Sequence, residues 1–202
     1  MEFREVIARR RMVRNYTADP VDPAAVERIV DAGRRAPSAG FSQGQAFVVV
    51  TDRADRAAIA ALAGEARYVE AGFGPWISRA PVHVVVCASE DAYRRRYREP
   101  DKSPDGKEVE WPVPYWWIDA GAALQNILLA AVDEGLAAGF LGCHAMSGLA
   151  ALLHIPEEYS PIGVVTIGHP APDRRSGSLD RGWRPIRDVI HRDRWSAADG
   201  SG

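Results

Sequence analysis

Residues 116–136 decide how the chain folds, since they read WWIDAGAALQNILLAAVDEGL and are apolar almost all round a helix. A helix that is apolar on every side belongs inside a protein or in a membrane. Asp119, Asp133 and Glu134 lie within the stretch, and charged side chains make a membrane-spanning position costly. We therefore predict a long helix at the centre of the core and expect no membrane partner.

Short apolar runs on both sides of this helix predict a small sheet. The predicted strands are 47–50 (FVVV), 82–87 (VHVVVC), 138–143 (AGFLGC) and 163–168 (GVVTIG). The run 82–87 has few polar interruptions, which is typical of a strand buried on both faces. Asp188-Val189-Ile190 predicts a further short strand near the end of the chain.

Helical spacing of apolar residues predicts further helices over about 2–10, from 23 to before Pro37, and over 53–63. Asp22 and Asp52 are natural N-caps, and Ser147 is predicted to cap a helix that contains Leu149. Helix exceeds strand, so the class is α+β or α/β, with three layers around a small sheet.

The composition excludes several classes of protein. The chain has 202 residues, 47% of them hydrophobic, with 25 Lys and Arg against 27 Asp and Glu. These figures exclude disordered and collagen-like chains, and a net charge of -2 argues against a general nucleic-acid binder. Two cysteines cannot build a disulfide framework. The length predicts a single domain over residues 1–202.

Two segments are less regular. Residues at about 90–114 are rich in Arg, Pro and Trp, which predicts a surface excursion that could act as a lid. Residues 174–202 are polar and predict an extended C-terminal tail. The first residues are amphipathic and charged, without the apolar core of a secretory signal, so we expect a cytoplasmic protein.

Four arginines between Arg9 and Arg14 form a dense positive site at the end of the first predicted helix. The planar guanidinium group matches phosphate oxygens bidentately, so a small phosphorylated ligand fits this site. A solvated basic turn is the simpler interpretation of the cluster taken alone. Nucleic acid is disfavoured, because no aromatic residues interleave the arginines.

Three other segments could contact a ligand. The small-residue loop 37–43 lets backbone groups approach closely, and Ser38 and Gln43 could bond a heteroaromatic edge. Residues 139–143 could aim a backbone amide at a cofactor ring, although a tightly packed strand is the simpler interpretation. Residues 181–185 place two arginines beside a tryptophan, where a surface turn is the alternative.

The remaining candidates are weak. The five histidines show no metal-ligand spacing, so we expect no metal site. His83 lies in an apolar strand and is predicted to be a core histidine. Cys143 has no base at a diagnostic spacing and is predicted to be an inert thiol. No serine has a nucleophile-elbow context.

Four of these motifs, in this order, resemble the FMN-dependent nitroreductase family. Residues 10–16 (RRMVRNY) are similar to its R-R-S-V-R-x-F/Y, and 36–43 (APSAGFSQ) are similar to its A-P-S-x-x-N-x-Q-P-W. Residues 139–143 resemble its strand and turn beneath the flavin. Residues 182–185 (GWRP), followed by 188–190, resemble its late basic element and tail.

The resemblance implies an α+β, three-layer α/β/α fold with a small, mostly antiparallel sheet. It implies a homodimer with FMN at the subunit interface and a domain-swapped C-terminal tail. It also implies a ping-pong reaction, in which NAD(P)H gives hydride to the flavin N5 and an electron-poor acceptor, such as a nitroaromatic or a quinone, then takes the electrons. It implies no catalytic side chain, because the flavin carries the chemistry. The implied cofactor-binding residues are Arg10, Arg11, Met12, Arg14, Pro37, Ser38, Ala39, Phe41, Gln43, Leu141, Gly142 and Arg184.

The family also implies individual roles. Arg10 and Arg184 match phosphate contacts, and Arg14 matches a basic residue near the pyrimidine side of the ring, where it could tune the flavin. Leu141 and Gly142 match the backbone beside the flavin N5. The loop 37–43 matches a segment that often comes from the partner subunit.

The sequence departs from the family pattern at several positions. Met12 replaces the usual Ser, so only its backbone N–H is left for the phosphate. Phe41 stands where Asn is common, and Phe41 with the Gly-Trp-Arg-Pro segment is also similar to the flavin-fragmenting dimethylbenzimidazole synthases. The alternatives are therefore such a synthase-like enzyme, a flavin-binding protein without nicotinamide turnover, or a basic interaction module without a cofactor.

Overall fold

The computed structural model describes residues 1–107 and 109–195. Its four strands are β1 (Gln45–Val50), β2 (Val82–Ala88), β3 (Ala137–Gly142) and β4 (Ser160–Gly168). They form one sheet in the order β1-β2-β4-β3, and every neighbouring pair is antiparallel. The strands β1 and β3 are therefore the two edges of the sheet. Every residue of β2 is buried, as its apolar run predicted.

Helices cover both faces of the sheet. They are α1 (Phe3–Arg9), α2 (Pro23–Arg34), α3 (Arg53–Leu62), α4 (Glu65–Glu70), α5 (Trp76–Arg79), α6 (Glu90–Tyr97), α7 (Tyr115–Asp133) and α8 (Leu149–Leu152). Successive residues of β2 point to opposite faces. Accordingly, Val84 packs with the core of α2 and α7, whereas Val85 packs with the core of α3, α5 and α8. The predicted three-layer α+β architecture is confirmed.

The central helix α7 spans nearly the same residues as the predicted helix 116–136. It ends at Asp133 rather than at 136, because Gly135 adopts a left-handed φ of 74° that cannot continue a helix. Asp22 and Asp52 cap α2 and α3 as predicted, since each carboxylate accepts a backbone N–H from the first helical turn.

Two local predictions are wrong. The N-cap of α8 is Gly148 rather than Ser147, and its φ is 93°. Residues 188–190 form no strand; a short 3-10 turn, Ile186–Asp188, stands there instead. The excursion at 90–114 also begins with a regular helix, α6, before its irregular part. Of the predicted tail, residues 196–202 lie outside the described residues.

Candidate functional site

The arginines of the predicted segment 10–16 line one cleft beside β3. Its volume is about 510 Å³, and it is lined by Arg10, Arg11, Met12, Arg14, Asp173, Arg174, Arg175, Ser176, Ser178, Leu179 and Trp183. The segment after α1 supplies one wall, and the segment after β4 supplies the other. Five guanidinium groups thus border the same space as a single carboxylate.

A hydrogen-bonded network attaches residues 10–16 to the sheet. The N–H of Val13 donates to the carbonyl of Ala138 on β3 at 3.0 Å. The buried hydroxyl of Tyr16 lies 3.0 Å from the carbonyl oxygen of Val13 and 2.9 Å from Oγ1 of Thr166 on β4. Burial raises the pKa of Tyr16, so this phenol stays protonated. The arginine segment is therefore held along the edge strand β3.

Gly139 permits this close approach. A Cβ at this position would lie 2.5 Å from the carbonyl oxygen of Val13, closer than real Cβ contacts allow. The sequence motif 139–143 was predicted to owe its glycines either to packing or to a cofactor. At Gly139 the structure shows the packing role, because the arginine segment occupies the space of a side chain.

The electrostatics of the cleft favour an anion. Asp173 accepts the backbone N–H of Arg14 at 2.7 Å, which ties the two walls together. Within the described residues, ion pairs to a carboxylate are absent from four of the five arginines: Arg10, Arg11, Arg14 and Arg174. Arg175 pairs with Asp180 at 3.3 Å. A cleft with this surplus of unpaired guanidinium groups has the donor chemistry of a phosphate site.

Phe73 orients two of these arginines. The guanidinium carbon of Arg14 lies 6.0 Å from the centre of the Phe73 ring, and that of Arg174 lies 5.5 Å from it. Cation–π contacts at this range are favourable and restrict the side chains. The sequence prediction missed Asp173, Arg174 and Arg175. The available signal was the run Asp-Arg-Arg, which begins five residues after the end of β4.

The predicted flavin loop lies elsewhere on the chain. Residues Ala39–Phe41 form a 3-10 turn, Ser38 Oγ accepts the N–H of Gln43 at 3.0 Å, and the loop leads into the edge strand β1. The side chain of Phe41 is 74% exposed. Because β2 and β4 separate β1 from β3, the two edge strands lie about 14 Å apart at normal strand spacing.

Leu141 and Gly142 end β3, on the same edge of the sheet as the arginine segment. Leu141 is buried, and Gly142 pairs with Gly163 of β4. A Cβ on Gly142 would meet Nδ1 of His144 at 3.0 Å. One chain therefore places two of the predicted groups, the arginines and the end of β3, along one edge strand.

Arg184 is not among the residues that line the cleft, although its neighbour Trp183 is. Its Nη2 donates to the carbonyl of Asp188 at 2.6 Å, and its side chain is exposed. Trp183 is 93% exposed, so it overhangs the cleft without being packed in it. The structure thus leaves Arg184 next to the predicted phosphate site but turned toward its own segment.

The predicted core histidine is confirmed. His83 is fully buried, and its Nε2 lies 2.7 Å from the carbonyl oxygen of Ile77. Burial lowers its pKa to about 4. Burial likewise raises the pKa of the Cys87 thiol to about 12 and that of Cys143 to about 11, which agrees with inert thiols.

The described residues contain neither a metal-binding cluster nor a membrane-spanning helix. No group of three or more His, Cys, Asp or Glu side chains in residues 1–107 and 109–195 is arranged to hold a metal ion. In the same part of the chain, the helices are too short or too polar to cross a membrane.

Known proteins are similar to this chain in sequence. The chain is 32% identical over 198 residues to an Archaeoglobus fulgidus protein with the provisional name NADH dehydrogenase/NAD(P)H nitroreductase, covering 96% of this chain and 99% of that one. It is 32% identical over 168 residues to the FMN reductase [NAD(P)H] of Bacillus subtilis, covering 80% and 63%.

A solved structure is also similar. The NADPH:FMN oxidoreductase of Vibrio harveyi, in complex with NAD+, superimposes with a TM-score of 0.74 at 25% identity, covering 98% of this chain and 79% of that chain. The sequence profile of the Nitroreductase family matches residues 7–169, a span that includes the arginine segment, the loop 37–43 and all four strands. The chain therefore belongs to the nitroreductase family.

Proposed function

We propose that this protein is an FMN-dependent NAD(P)H oxidoreductase. The observation that carries the proposal is the cleft beside β3, where five arginines face one carboxylate that is already engaged by a backbone N–H. A phosphate monoester fits this donor set. The names of the Bacillus subtilis and Vibrio harveyi relatives support FMN and NADPH or NAD(P)H as the ligands.

The arginine segment is proposed to hold the phosphate end of FMN. Arg10 and Arg11 would bind its oxygens, and the backbone N–H of Met12 would add a donor. The end of β3, at Leu141 and Gly142, would lie beside the ring. The bound flavin would supply the redox chemistry, taking hydride from NAD(P)H and passing electrons to a nitroaromatic, quinone or similar acceptor in a separate half-reaction.

Arg14 is proposed to tune the flavin electronically. Its guanidinium carries no ion pair within the described part of the chain, and its contact with Phe73 limits its freedom. A fixed cation near the pyrimidine side of the ring would stabilise negative charge that develops on reduction. No acidic or basic side chain is proposed as a catalyst.

A homodimer is proposed to complete the site. The loop 37–43 would line the flavin held by the partner, since in its own chain it leads into the opposite edge of the sheet from the arginine segment. An apolar groove of about 570 Å³ runs between α2 and the open edge of β1. The exposed Ile186, Val189 and Ile190 of the tail could fill this groove on the partner, which gives the proposed domain swap.

We also propose a cytoplasmic location, where thiols stay reduced. Both cysteines are free, and Cys87 is buried inside the sheet. The single domain over residues 1–202 stays a prediction.

The test is the visible spectrum of the purified protein after reconstitution with FMN. We expect a yellow protein whose flavin absorbance is bleached by NADH or NADPH without oxygen. A protein that stays colourless would refute the proposal, and one that binds FMN without bleaching would favour a flavin carrier over an enzyme.

The phosphate site has its own test. Truncating one partner of a close charge pair typically costs about 2 kcal/mol or more, so Arg10→Ala should weaken FMN binding at least about 30-fold. Arg53→Ala, which removes the same charge from the start of α3, is the control and should leave the Kd unchanged. Equal FMN affinity in Arg10→Ala and Arg53→Ala would refute this assignment.

A further inference from the structure

The loop 38–43 holds a backbone conformation that its own side chains disfavour. Gly40, Phe41 and Gln43 have φ angles of 60°, 57° and 50°. Left-handed backbone is unfavourable for residues that carry a Cβ, and such strain persists only where surrounding contacts impose it. The exposed ring of Phe41 gives little packing of its own, so contacts from other elements must hold the loop.

Two hydrogen bonds from outside the loop fall on consecutive residues just before Phe41. Oδ2 of Asp119, in the first turns of α7, accepts the N–H of Ala39 at 2.8 Å. Nε of Arg96, on α6, donates to the carbonyl of Gly40 at 2.8 Å. Both bonds involve a charged group, and such bonds are stronger than neutral ones.

Each of these side chains is itself held in place. Asp119 is only 8% exposed, and the same oxygen accepts the hydroxyl of Tyr93 at 2.7 Å. Burial, together with the bond to Asp119, raises the pKa of Tyr93, so the phenol remains a donor. The guanidinium group of Arg96 forms two bonds of 2.7 Å with Asp101.

Helix α6 also closes the outer side of the loop. A Cβ on Gly40 would lie 2.7 Å from the Tyr97 ring, so the loop has no room to move in that direction. Tyr93, Arg96 and Tyr97 occupy one face of α6, at helical spacings of three and four residues. Helix α6, which is the first part of the predicted lid, therefore supports the loop 38–43.

We propose that Asp119 is a positioning residue which, with Tyr93 and Arg96, sets the conformation of the loop 38–43 toward the flavin. The inference rests on the proposed function, which assigns that loop to FMN. None of the three side chains is assigned a contact with FMN; they act through the backbone of Ala39 and Gly40. Changes in α6 would therefore reach the flavin site through these two residues.

The experiment compares Asp119→Ala, Asp119→Asn and Asn126→Ala. Asn at position 119 keeps an oxygen that can accept the N–H of Ala39. The control Asn126→Ala removes a bond of 3.0 Å from the same helix to the carbonyl of Ala32, away from the loop. We expect FMN affinity to fall about tenfold in Asp119→Ala, in line with the loss of one charged hydrogen bond. It should stay near the wild-type value in Asn126→Ala, and Asp119→Asn should recover most of the loss.

Amide hydrogen exchange of the FMN-free protein gives a second readout. We expect faster exchange across residues 38–43 in Asp119→Ala than in the control, after correction for global stability. If Asp119→Ala fails to fold, Arg96→Ala tests the same support, because it removes the bond to Gly40 from a partly exposed position.

Two results would overturn the inference. One is an exchange rate in the loop that matches the control. The other is a loss of FMN affinity in Asp119→Ala that is equally large in Asp119→Asn or in the control Asn126→Ala. A wild-type protein that binds no FMN would instead refute the proposed function, and the exchange data would still decide the role of Asp119.

Discussion

Gly139→Ala would disturb the attachment of the arginine segment to the sheet. The added Cβ would lie 2.5 Å from the carbonyl oxygen of Val13, 3.0 Å from Oγ1 of Thr166 and 3.1 Å from the hydroxyl of Tyr16. Non-bonded carbon and oxygen atoms need about 3.3 Å, so residues 10–16 must move outward by about 0.8 Å.

Two effects lower the free energy of unfolding of Gly139→Ala. Overpacking of this kind typically costs about 1–3 kcal/mol. Lengthening the bond from Val13 N–H to the carbonyl of Ala138 adds about 1 kcal/mol. We expect the free energy of unfolding to fall by about 2–4 kcal/mol and FMN affinity to fall at least about tenfold, since the arginines move with the segment.

Urea unfolding and a titration with FMN measure the two effects. Gly121→Ala is the matched control, because a Cβ at that position in α7 meets no atom of the described residues within 4 Å outside the backbone of its own helix. Alanine is favoured over glycine in a helix interior by about 1 kcal/mol, so this variant should be at least as stable as the wild type. A Gly139→Ala protein with wild-type stability and FMN affinity would show that the close approach of Val13 to β3 does not hold the arginine segment in place.

Other predictions concern buried groups. His83 has a folded-state pKa of about 4, below the value of about 6.5 in an unfolded chain. As the pH falls, the unfolded state therefore binds the proton first, and the free energy of unfolding should fall by about 3 kcal/mol between pH 7 and pH 4. His83→Gln should remove most of this fall, which urea titrations at several pH values measure. A fall of the same size in the variant would assign the acid sensitivity to other groups. Cys87 and Cys143, with raised thiol pKa values, should react with iodoacetamide at pH 7.5 far more slowly than in the urea-unfolded chain, and similar rates in both states would contradict their inertness.

The fold was predictable where the signal is local. The N-caps Asp22 and Asp52 act on the turn that follows them, and the Val-rich run of β2 is apolar because both of its faces are covered. Helix α6 was not predicted from the sequence, because its mean hydropathy is low and Tyr93 is its one buried residue in the structure. Its signal was Ser89, whose Oγ accepts the N–H of Ala92 as an N-cap.

The site was predictable only in part. The opening arginines were recognisable because they are adjacent in sequence, whereas Asp173 and Arg174 join them through a contact across about 160 residues. Asp119 was visible as a carboxylate in an otherwise apolar helix, but its partners Ala39 and Tyr93 come from distant segments. Long-range pairing of this kind leaves no periodic trace in one sequence.

Subunit complementation between two variants tests whether two chains share one flavin site. Arg10→Ala damages the phosphate cleft, and Gly40→Ala damages the loop, since its Cβ would meet Tyr97 at 2.7 Å and its φ is 60°. Each homodimer should bind FMN weakly. If the cleft of one subunit meets the loop of the other, a mixed dimer contains one intact site and one doubly defective site.

The measurement is the number of tight FMN sites in the mixed dimer, purified through two different tags. We expect one site per dimer with wild-type affinity. If the mixed dimer binds FMN as weakly as both parent proteins, the shared site is wrong, because the cleft and the loop then serve the same flavin within one chain.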